Sequence, residues 1–348
     1  LTGGSPRVVV LAGGVGGSRF CLGVRAALAR RADAAAAASD PFTVIVNTGD
    51  DLWLSGVRLQ PDVDSIVYAL AGVNDSERGW GRAGDSERVN HELQEWGAGW
   101  PWFTLGDLDL GTHLARTGWL REGLTPTEVL ARMSRRWPLG ARLLPMTDAE
   151  VDTIVTVAAP DASDASVADP GAGREMHFQE WWTRYRASLE PVRFDNPGIE
   201  HSAPAPGVLE AIAAADVVLL APSNPVVSIG PILAVPGIRE ALRRSPGRVV
   251  GVSPIIGGRV VRGMADVCLE AIGVDTDAAA VAAHYGARSD GARADGGLLD
   301  AWLLAVEDAA SADRVAELGI RPVVTPLWMR DAATSAALAD AAIRAAGL

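Results

Sequence analysis

The chain begins with an apolar, mostly β-branched run, Val8-Val9-Val10-Leu11-Ala12, which breaks into Gly13-Gly14-Val15-Gly16-Gly17. Helical spacing follows, with apolar positions at Phe20, Leu22, Val24, Ala27 and Leu28. A short continuous apolar run bounded by turn residues predicts a strand buried on both faces, as in a parallel sheet. The same grammar recurs three times. Phe42-Thr43-Val44-Ile45-Val46 runs into Asn47-Thr48-Gly49-Asp50-Asp51, Val217-Val218-Leu219-Leu220-Ala221 into Pro222-Ser223-Asn224-Pro225, and Val249-Val250-Gly251-Val252 into Ser253-Pro254-Ile255-Ile256-Gly257-Gly258. Further strands are predicted at 153–157, 302–306 and 322–325, and further helices at 64–71, 264–272, 276–285, 311–318 and 331–346. Strands alternating with helices predict an α/β fold with a doubly wound, mostly parallel, Rossmann-like sheet.

Between residues 72 and 145 the strand signal gives way to helical patterns at 87–96, 112–120 and 127–137. Thr125-Pro126-Thr127-Glu128 predicts a capping box with proline at the first helical position. The expectation is a core formed by 1–71 and 146–348, with 72–145 as a mainly helical insertion over the ligand edge. The insertion carries Trp80, Trp96, Trp100, Trp102 and Trp119, rings that either pack a lid or stack on a flat heterocycle. Leu105-Gly106-Asp107-Leu108-Asp109-Leu110 is read as a turn with solvated acids. Residues 160–173 are read as a hairpin tip, and 177–186 as an aromatic helix bearing two arginines.

Composition narrows the chemistry. With 348 residues, 48% hydrophobic and 21% charged, the chain can bury one large α/β core or a core plus a smaller lobe. A formal charge of −12 argues against a duplex nucleic-acid partner. All 31 basic residues are arginine, which removes Schiff-base lysine chemistry. Cys21 and Cys268 lie in apolar helical patterns without a C-x-x-C, which predicts buried, reduced thiols and suits a cytoplasmic protein. No apolar run reaches the length of a membrane span, and residues 1–7 lack the regions of a signal peptide. Five scattered histidines and no cysteine pair argue against zinc, and no G-x-S-x-G elbow is present.

The glycine loop is phosphate-sized, and the amides opening the next helix favour an anion. Neither familiar fingerprint fits it. In G-x-G-x-x-G the third glycine falls at Arg19, Asn47 stands where an acid is expected, and the P-loop lysine is missing. A ligand-free tight turn is the competing reading. Ligands of open α/β sheets bind beyond the carboxyl ends of strands, so Asp50 and Asp51 are expected to share a crevice with the loop. Asp62 and Asp64 open the following helix, Asp62 as an N-cap or as a ligand. Carboxylates holding Mg²⁺ against a diphosphate are the simplest chemistry these parts support.

Taken together, Leu11 to Arg19, Asn47 to Asp51, Arg78-Gly79-Trp80-Gly81, Leu105-Gly106-Asp107, His177-Phe178-Gln179-Glu180-Trp181-Trp182, Ala221 to Pro225, Ser228-Ile229-Gly230-Pro231 and Ser253 to Gly258 resemble the 2-phospho-L-lactate transferase family of deazaflavin coenzyme F-420 biosynthesis. The Phe-Gln-Glu-Trp-Trp stretch resembles its actinobacterial phosphoenolpyruvate transferase branch. The resemblance implies transfer of a phosphoenolpyruvyl or 2-phospho-L-lactyl group from a guanosine diphospho-linked donor to the ribityl hydroxyl of the deazaflavin Fo, with release of GMP. By it, Asp50 or Asp51 holds Mg²⁺ and the other receives the hydroxyl proton, while Gly13, Gly14, Gly16, Gly17 and Ser18 cradle the diphosphate. Asn47, Thr48, Asp64 and Trp80 fall in its substrate-binding motifs, and Ser223, Asn224, Ser228 and Gly257 are expected at the guanosine. The likeness also implies small-molecule partners and a homodimer. A sister group in the same superfamily, nucleotide-sugar-binding regulators without transfer chemistry, is the alternative.

Overall fold

In the computed structural model, which describes residues 6–31, 42–75, 78–158, 173–289 and 296–348, seven parallel strands form one sheet. The chain lays down β1 (Val8–Ala12), α1 (Gly14–Arg31) and β2 (Phe42–Val46), then a small hairpin of β3 (Leu52–Leu54) and β4 (Val57–Leu59), then α2 (Pro61–Ala71). Helices α3 (Arg88–Glu95), α4 (Asp107–Arg121) and α5 (Pro126–Ser134) precede β5 (Arg142–Pro145). A three-stranded antiparallel sheet of β6 (Ile154–Val157), β7 (Arg174–His177) and β8 (Pro191–Asp195) follows, with a π-type turn at Glu180–Arg184. The chain returns to the main sheet through α6 (Val208–Ala214), β9 (Val217–Leu220), a second π-type turn at Pro225–Ile229, α7 (Gly230–Ala234), α8 (Ile238–Arg244) and β10 (Arg248–Val252). It ends with a short hairpin of β11 (Ile255–Ile256) and β12 (Arg259–Val260), α9 (Ala265–Ala271), α10 (Ala278–Tyr285), β13 (Ala301–Leu304), α11 (Ala312–Glu317), β14 (Arg321–Val324) and α12 (Ala332–Ala345).

Spatial order in the main sheet is β14-β13-β10-β9-β1-β2-β5. The chain therefore winds outward from β1 through β2 to β5, and then outward from β9 on the other side. The order reverses between β1 and β9, and a crevice opens there at the carboxyl ends of the strands. Period-two alternation explains why both faces of β1 are apolar. Val8, Val10 and Ala12 join the core under α1, α2 and α12, while Val9 and Leu11 join the core under α6, α7 and α10.

Two expectations change in the light of the sheet. Residues 142–145 lie in a stretch read as having no strand signal, yet they form β5, paired to β2 from Thr43 opposite Arg142 to Val46 opposite Pro145. Three of the four residues are buried, and although Leu143 and Leu144 enter opposite cores, the run is too short to mark a strand. Residues 174–176, assigned to no element, and His177, expected to open the aromatic helix, pair with β6 as β7, and the helix shrinks to the π-type turn after it. The 160–173 hairpin tip falls almost wholly outside the described residues, although the strands on either side of it do pair antiparallel. Among the described residues no single helix is long and apolar enough to cross a membrane.

Helix α1 lies so close to α12 that a Cβ added at Gly23 would stand 2.3 Å from the Ser335 carbonyl oxygen. Gly23→Ala must push the helices apart, at a cost of about 1–3 kcal/mol for overpacking. Chemical denaturation is expected to show that loss with an unchanged denaturant slope.

Candidate functional site

A cavity of about 1030 Å³ occupies the crevice between β1 and β9. Its floor is the glycine loop. Gly14 has φ +62°, in the left-handed region, and α1 starts on it. Glycine is demanded here mainly by close packing on protein atoms. A Cβ at Gly13 would lie 2.1 Å from Asp62 Oδ2, and one at Gly16 would lie 2.6 Å from the Pro222 carbonyl. Gly13 is further pinned by Ser223, whose Oγ accepts from the Gly13 N–H (3.1 Å) and donates to its carbonyl (2.7 Å). Val15 and Gly16 line the cavity in the first turn of an 18-residue helix with no acid in that turn. First-turn amides have no intrahelical acceptor, so this end of α1 favours an anion.

The acids gather opposite. Asp62 lies at the second position of α2, with Gln60 and not Asp62 as the N-cap. Its Oδ2 accepts from Asn47 Nδ2 (2.8 Å) and Ser228 Oγ (3.4 Å). Burial pushes Asp62 up to about 6, opposed by the hydrogen bonds from Asn47, the Gly14 amide and Ser228. Asp50 is buried and lines the cavity; Gln179 Nε2 donates to its Oδ2 (3.1 Å), and its Oδ1 has no hydrogen-bond partner among the described residues. Burial first, then the Asp62 and Asp51 charges, hold its carboxyl well above the usual range.

Adjacent though they are, Asp50 and Asp51 part ways. Asp51 is not on the cavity wall; its Oδ2 accepts from Gln60 Nε2 (2.6 Å) and stands 3.8 Å from the Arg58 guanidinium. Burial pushes Asp51 up to about 8 against that opposing charge. His177 fixes this turn from β7. The ring Nδ1 accepts from the Gln179 N–H (3.0 Å), which leaves Nε2–H to donate to the Asp51 carbonyl (3.1 Å). One neutral imidazole therefore positions both the Asp50-Asp51 turn and the glutamine that holds Asp50.

The insertion closes the cavity with a buried ionic network. Arg116, fully buried on α4, pairs with Asp64 Oδ1 and hydrogen-bonds to His113 Nδ1 (3.1 Å). The Tyr68 hydroxyl donates to Asp109 Oδ1 (2.6 Å). Burial pushes Asp109 up, but the neighbouring His113 and Tyr68 hold it below its ordinary value. Asp109 was expected in a solvated turn; instead Gly106 caps α4 and Asp109 sits buried in its first helical turn. Ligand atoms of Asp64, Asp109 and His113 lie within 4.8 Å of one another, a spacing that could hold a metal ion. Arg116 already supplies the cation there and occupies His113 Nδ1.

Of the residues singled out from sequence, Gly13, Gly14, Gly16, Asp50, Asp64, Trp80, Ser223, Asn224 and Ser228 line the cavity, whereas Gly17, Ser18, Asn47, Thr48, Asp51 and Gly257 do not. Ser18 Oγ donates back to the Val15 carbonyl (2.9 Å), Gly17 packs on Ser223, and Asn47 ties Asp62 to the Val227 carbonyl (3.2 Å). The Thr48 side chain is buried, and its Oγ1 has no hydrogen-bond partner among the described residues. The Gly257 amide donates to Asp308 (2.9 Å) in the β11–β12 turn. Asn224 caps the π-type turn, accepting from the Val226 and Val227 amides. Of the insertion's tryptophans, Trp80 and Trp102 line the cavity, and Trp102 stacks on Trp100 at 4.8 Å; Trp96 is 78% exposed and lies elsewhere. Tyr68, His113, Gln179 and Arg186 also line the wall. Signals for Gln179 and Arg186 are present in the aromatic, arginine-bearing 177–186 stretch, but nothing local marks Tyr68 or His113.

Fold and site define a class: a doubly wound α/β protein whose switch-point cavity pairs an anion-favouring glycine loop with buried carboxylates. The 2-phospho-L-lactate transferase CofD family matches residues 8–328, and the chain belongs to that family. It is 47% identical over 343 residues to a phosphoenolpyruvate transferase of Nocardia farcinica, covering 99% of this chain and 96% of the relative. It is 48% identical over 337 residues to a phosphoenolpyruvate transferase of Thermobifida fusca, covering 97% of each. A Bacillus halodurans protein of the UPF0052 family superposes with a TM-score of 0.57 at 19% identity, covering 97% of this chain and 99% of that one. That likeness shows the fold alone.

The raised acids carry a stability consequence. A carboxyl with its folded pKa above its unfolded one binds more protons folded than unfolded, so its contribution falls as pH rises through that interval. For Asp51 the interval runs from 3.8 to about 8. Asp50→Asn keeps an acceptor for Gln179 and removes the charge. In metal-free buffer at pH 8 it is expected to raise stability by about 1 kcal/mol or more, the equivalent of one pKa unit, with a smaller gain at pH 5. Thermal melts at both pH values check this.

Proposed function

We propose that this chain transfers a phosphoenolpyruvyl or 2-phospho-L-lactyl group from a guanosine diphospho-linked donor to the ribityl hydroxyl of the deazaflavin Fo. The acceptor oxygen bonds to the phosphorus carrying the three-carbon ester, the bond from that phosphorus to the bridging oxygen breaks, and GMP leaves with the electron pair. The product is coenzyme F-420-0 or its dehydro form. The observation that carries the reading is Asp50, a buried acid on the cavity wall whose Oδ1 has no hydrogen-bond partner among the described residues. Membership of a transferase family and two actinobacterial relatives named phosphoenolpyruvate transferase support it. A cavity of about 1030 Å³ is at the upper end for one small ligand, which suits two substrates bound together for direct transfer.

The residues fit Mg²⁺: Asp50 offers a free hard oxygen, and Asp62 adds negative charge beside it. When bound, the ion would neutralise the acids and draw charge from the diphosphate. The rest falls to the protein. The first turn of α1 holds the diphosphate by its amides, Gln179 and His177 keep Asp50 aimed at the transferred phosphorus, and Trp102 backed by Trp100 offers a stacking surface to the flat acceptor. The hydroxyl proton goes to Asp64 and not to Asp51: Asp64 lines the cavity and its Oδ2 has no hydrogen-bond partner among the described residues, whereas Asp51 is bonded away from it. Phosphoryl transfer is dominated by positioning and charge neutralisation, so Asp50 has the larger effect.

Two experiments test this. Wild-type protein is expected to consume Fo with a guanosine donor and release GMP, to stop in EDTA and to resume with Mg²⁺. Asp50→Asn is expected to cut turnover by at least about a hundredfold, roughly 2.7 kcal/mol of barrier, while nucleotide affinity changes far less. Full turnover in EDTA, or an Asp50→Asn variant with normal turnover, would refute the role given to Asp50. Separately, Trp102→Ala is expected to raise the Kd for Fo about tenfold or more, in line with about 1–3 kcal/mol for stacking of a base on an aromatic ring. Trp96→Ala should leave it unchanged, as fluorescence titration will show.

A further inference from the structure

We propose that Arg186 binds the carboxylate of the three-carbon acid carried by the donor, so that it selects donor over free nucleotide. The inference rests on the transferase reading above. It starts from the backbone. The chain leaving the π-type turn at Glu180–Arg184 reverses through Arg186 at φ 49° and Ala187 at φ 55°, both in the left-handed region where glycine is the usual residue. The conformation is imposed from outside. The Ala187 N–H donates to the Trp181 carbonyl (3.1 Å), Ser188 N–H to the Tyr185 carbonyl (3.0 Å), and the Trp181 indole to the Leu189 carbonyl (2.8 Å). Trp181 itself is completely buried.

Packing explains one of the two strained residues and not the other. Ala187 packs against the apolar cluster around Trp181, so its methyl has a use. Arg186 is exposed and lines the cavity with Gln179, Trp182 and Thr183. Its neighbours spend their charge locally, Arg184 on Glu180 at 2.9 Å and Arg174 on the same carboxylate at 3.6 Å. Among the described residues Arg186 has no acidic partner. A non-glycine residue kept in a strained conformation at a cavity wall points to a side chain required there.

Position selects the ligand. Arg186 lies in the same short segment as Gln179, which holds Asp50, and both line the cavity, so the segment that reaches Asp50 also carries this guanidinium. The transferred group carries a carboxylate, which must otherwise approach the like charges of Asp50 and Asp62. A planar guanidinium matches a carboxylate in a bidentate pair. The other cavity arginines have different places: Arg262 donates to the Arg78 carbonyl (2.7 Å), Arg330 stacks on Trp328, and Arg19 stands on α1 beside the diphosphate end.

The test is calorimetric titration of the full chain with GDP and with guanosine diphospholactate, a donor bearing the carboxylate, for wild type, Arg186→Gln, Arg186→Lys and Arg186→Gly. Expected is a loss of tenfold or more in donor affinity for Arg186→Gln with GDP affinity held within twofold, partly recovered in Arg186→Lys. Arg186→Gly should lose the same donor affinity without a lower melting temperature, because glycine relieves the left-handed backbone. An unchanged ratio of donor to GDP affinity in Arg186→Gln overturns the proposal, as does a melting temperature lowered in Arg186→Gly. Wild-type protein that binds neither guanosine ligand would sink the transferase reading itself, an outcome distinct from a wild type that turns over and an arginine variant that keeps its donor preference.

Discussion

The site depends on one buried carboxylate. Asp62 gathers the Asn47 amide at the end of β2, the Gly14 amide at the start of α1 and the Ser228 hydroxyl on the second π-type turn, and it stands where a side chain on Gly13 would have to go. Four stretches far apart in sequence meet at two oxygens. Burying a carboxylate is costly unless its lone pairs are filled, and here the filling groups are the very segments that must converge. Ser223, bonded twice to Gly13, braces the same loop from β9. The glycine loop is thus shaped before any ligand arrives, which is what preorganised binding of a diphosphate needs.

Around that hub the charges are unbalanced by design of the fold. Asp50, Asp62, Asp64 and Asp109 all line one cavity, and Arg116 is the fully buried cation among them. It serves Asp64 and leaves Asp50 facing Asp62. Burial raises both the Asp50 and the Asp62 carboxyls, and at Asp50 the Asp62 and Asp51 charges add to it. The divalent cation proposed for this site would relieve that repulsion and attract a diphosphate, so the feature that weakens the empty protein would favour its loaded state.

The helical insertion is joined to the core by polar chemistry as much as by apolar packing. Tyr68 and Asp64 on α2 reach Asp109, His113 and Arg116 on α4 through buried hydrogen bonds and ion pairs. Such a network fixes one geometry, because any shift leaves a buried group unpartnered. The small antiparallel sheet does the equivalent from the opposite side, where β7 delivers His177 and Gln179 to the Asp50 turn. Both additions act on the carboxyl ends of β1 and β2 and so belong to the site more than to the sheet.

The sequence by itself determined the sheet's interior strands, because a strand buried on both faces is apolar throughout and β1, β2, β9 and β10 read that way without reference to neighbours. It also determined the glycine loop and the acids after β2, since strand ends in such sheets face one crevice. It missed β5, whose apolar run is too short to read, and β7, of which only Met176 is buried, and it placed Asp109 in solvent because a helix beginning at Asp107 depends on Asp85, which accepts from the Leu108 and Asp109 amides (2.7 and 3.0 Å). Local pattern could not separate Asp50 from Asp51. Alternation sends adjacent side chains to different surroundings, and which of them met a cavity and which met Gln60 and Arg58 was decided only when segments distant in sequence closed around them.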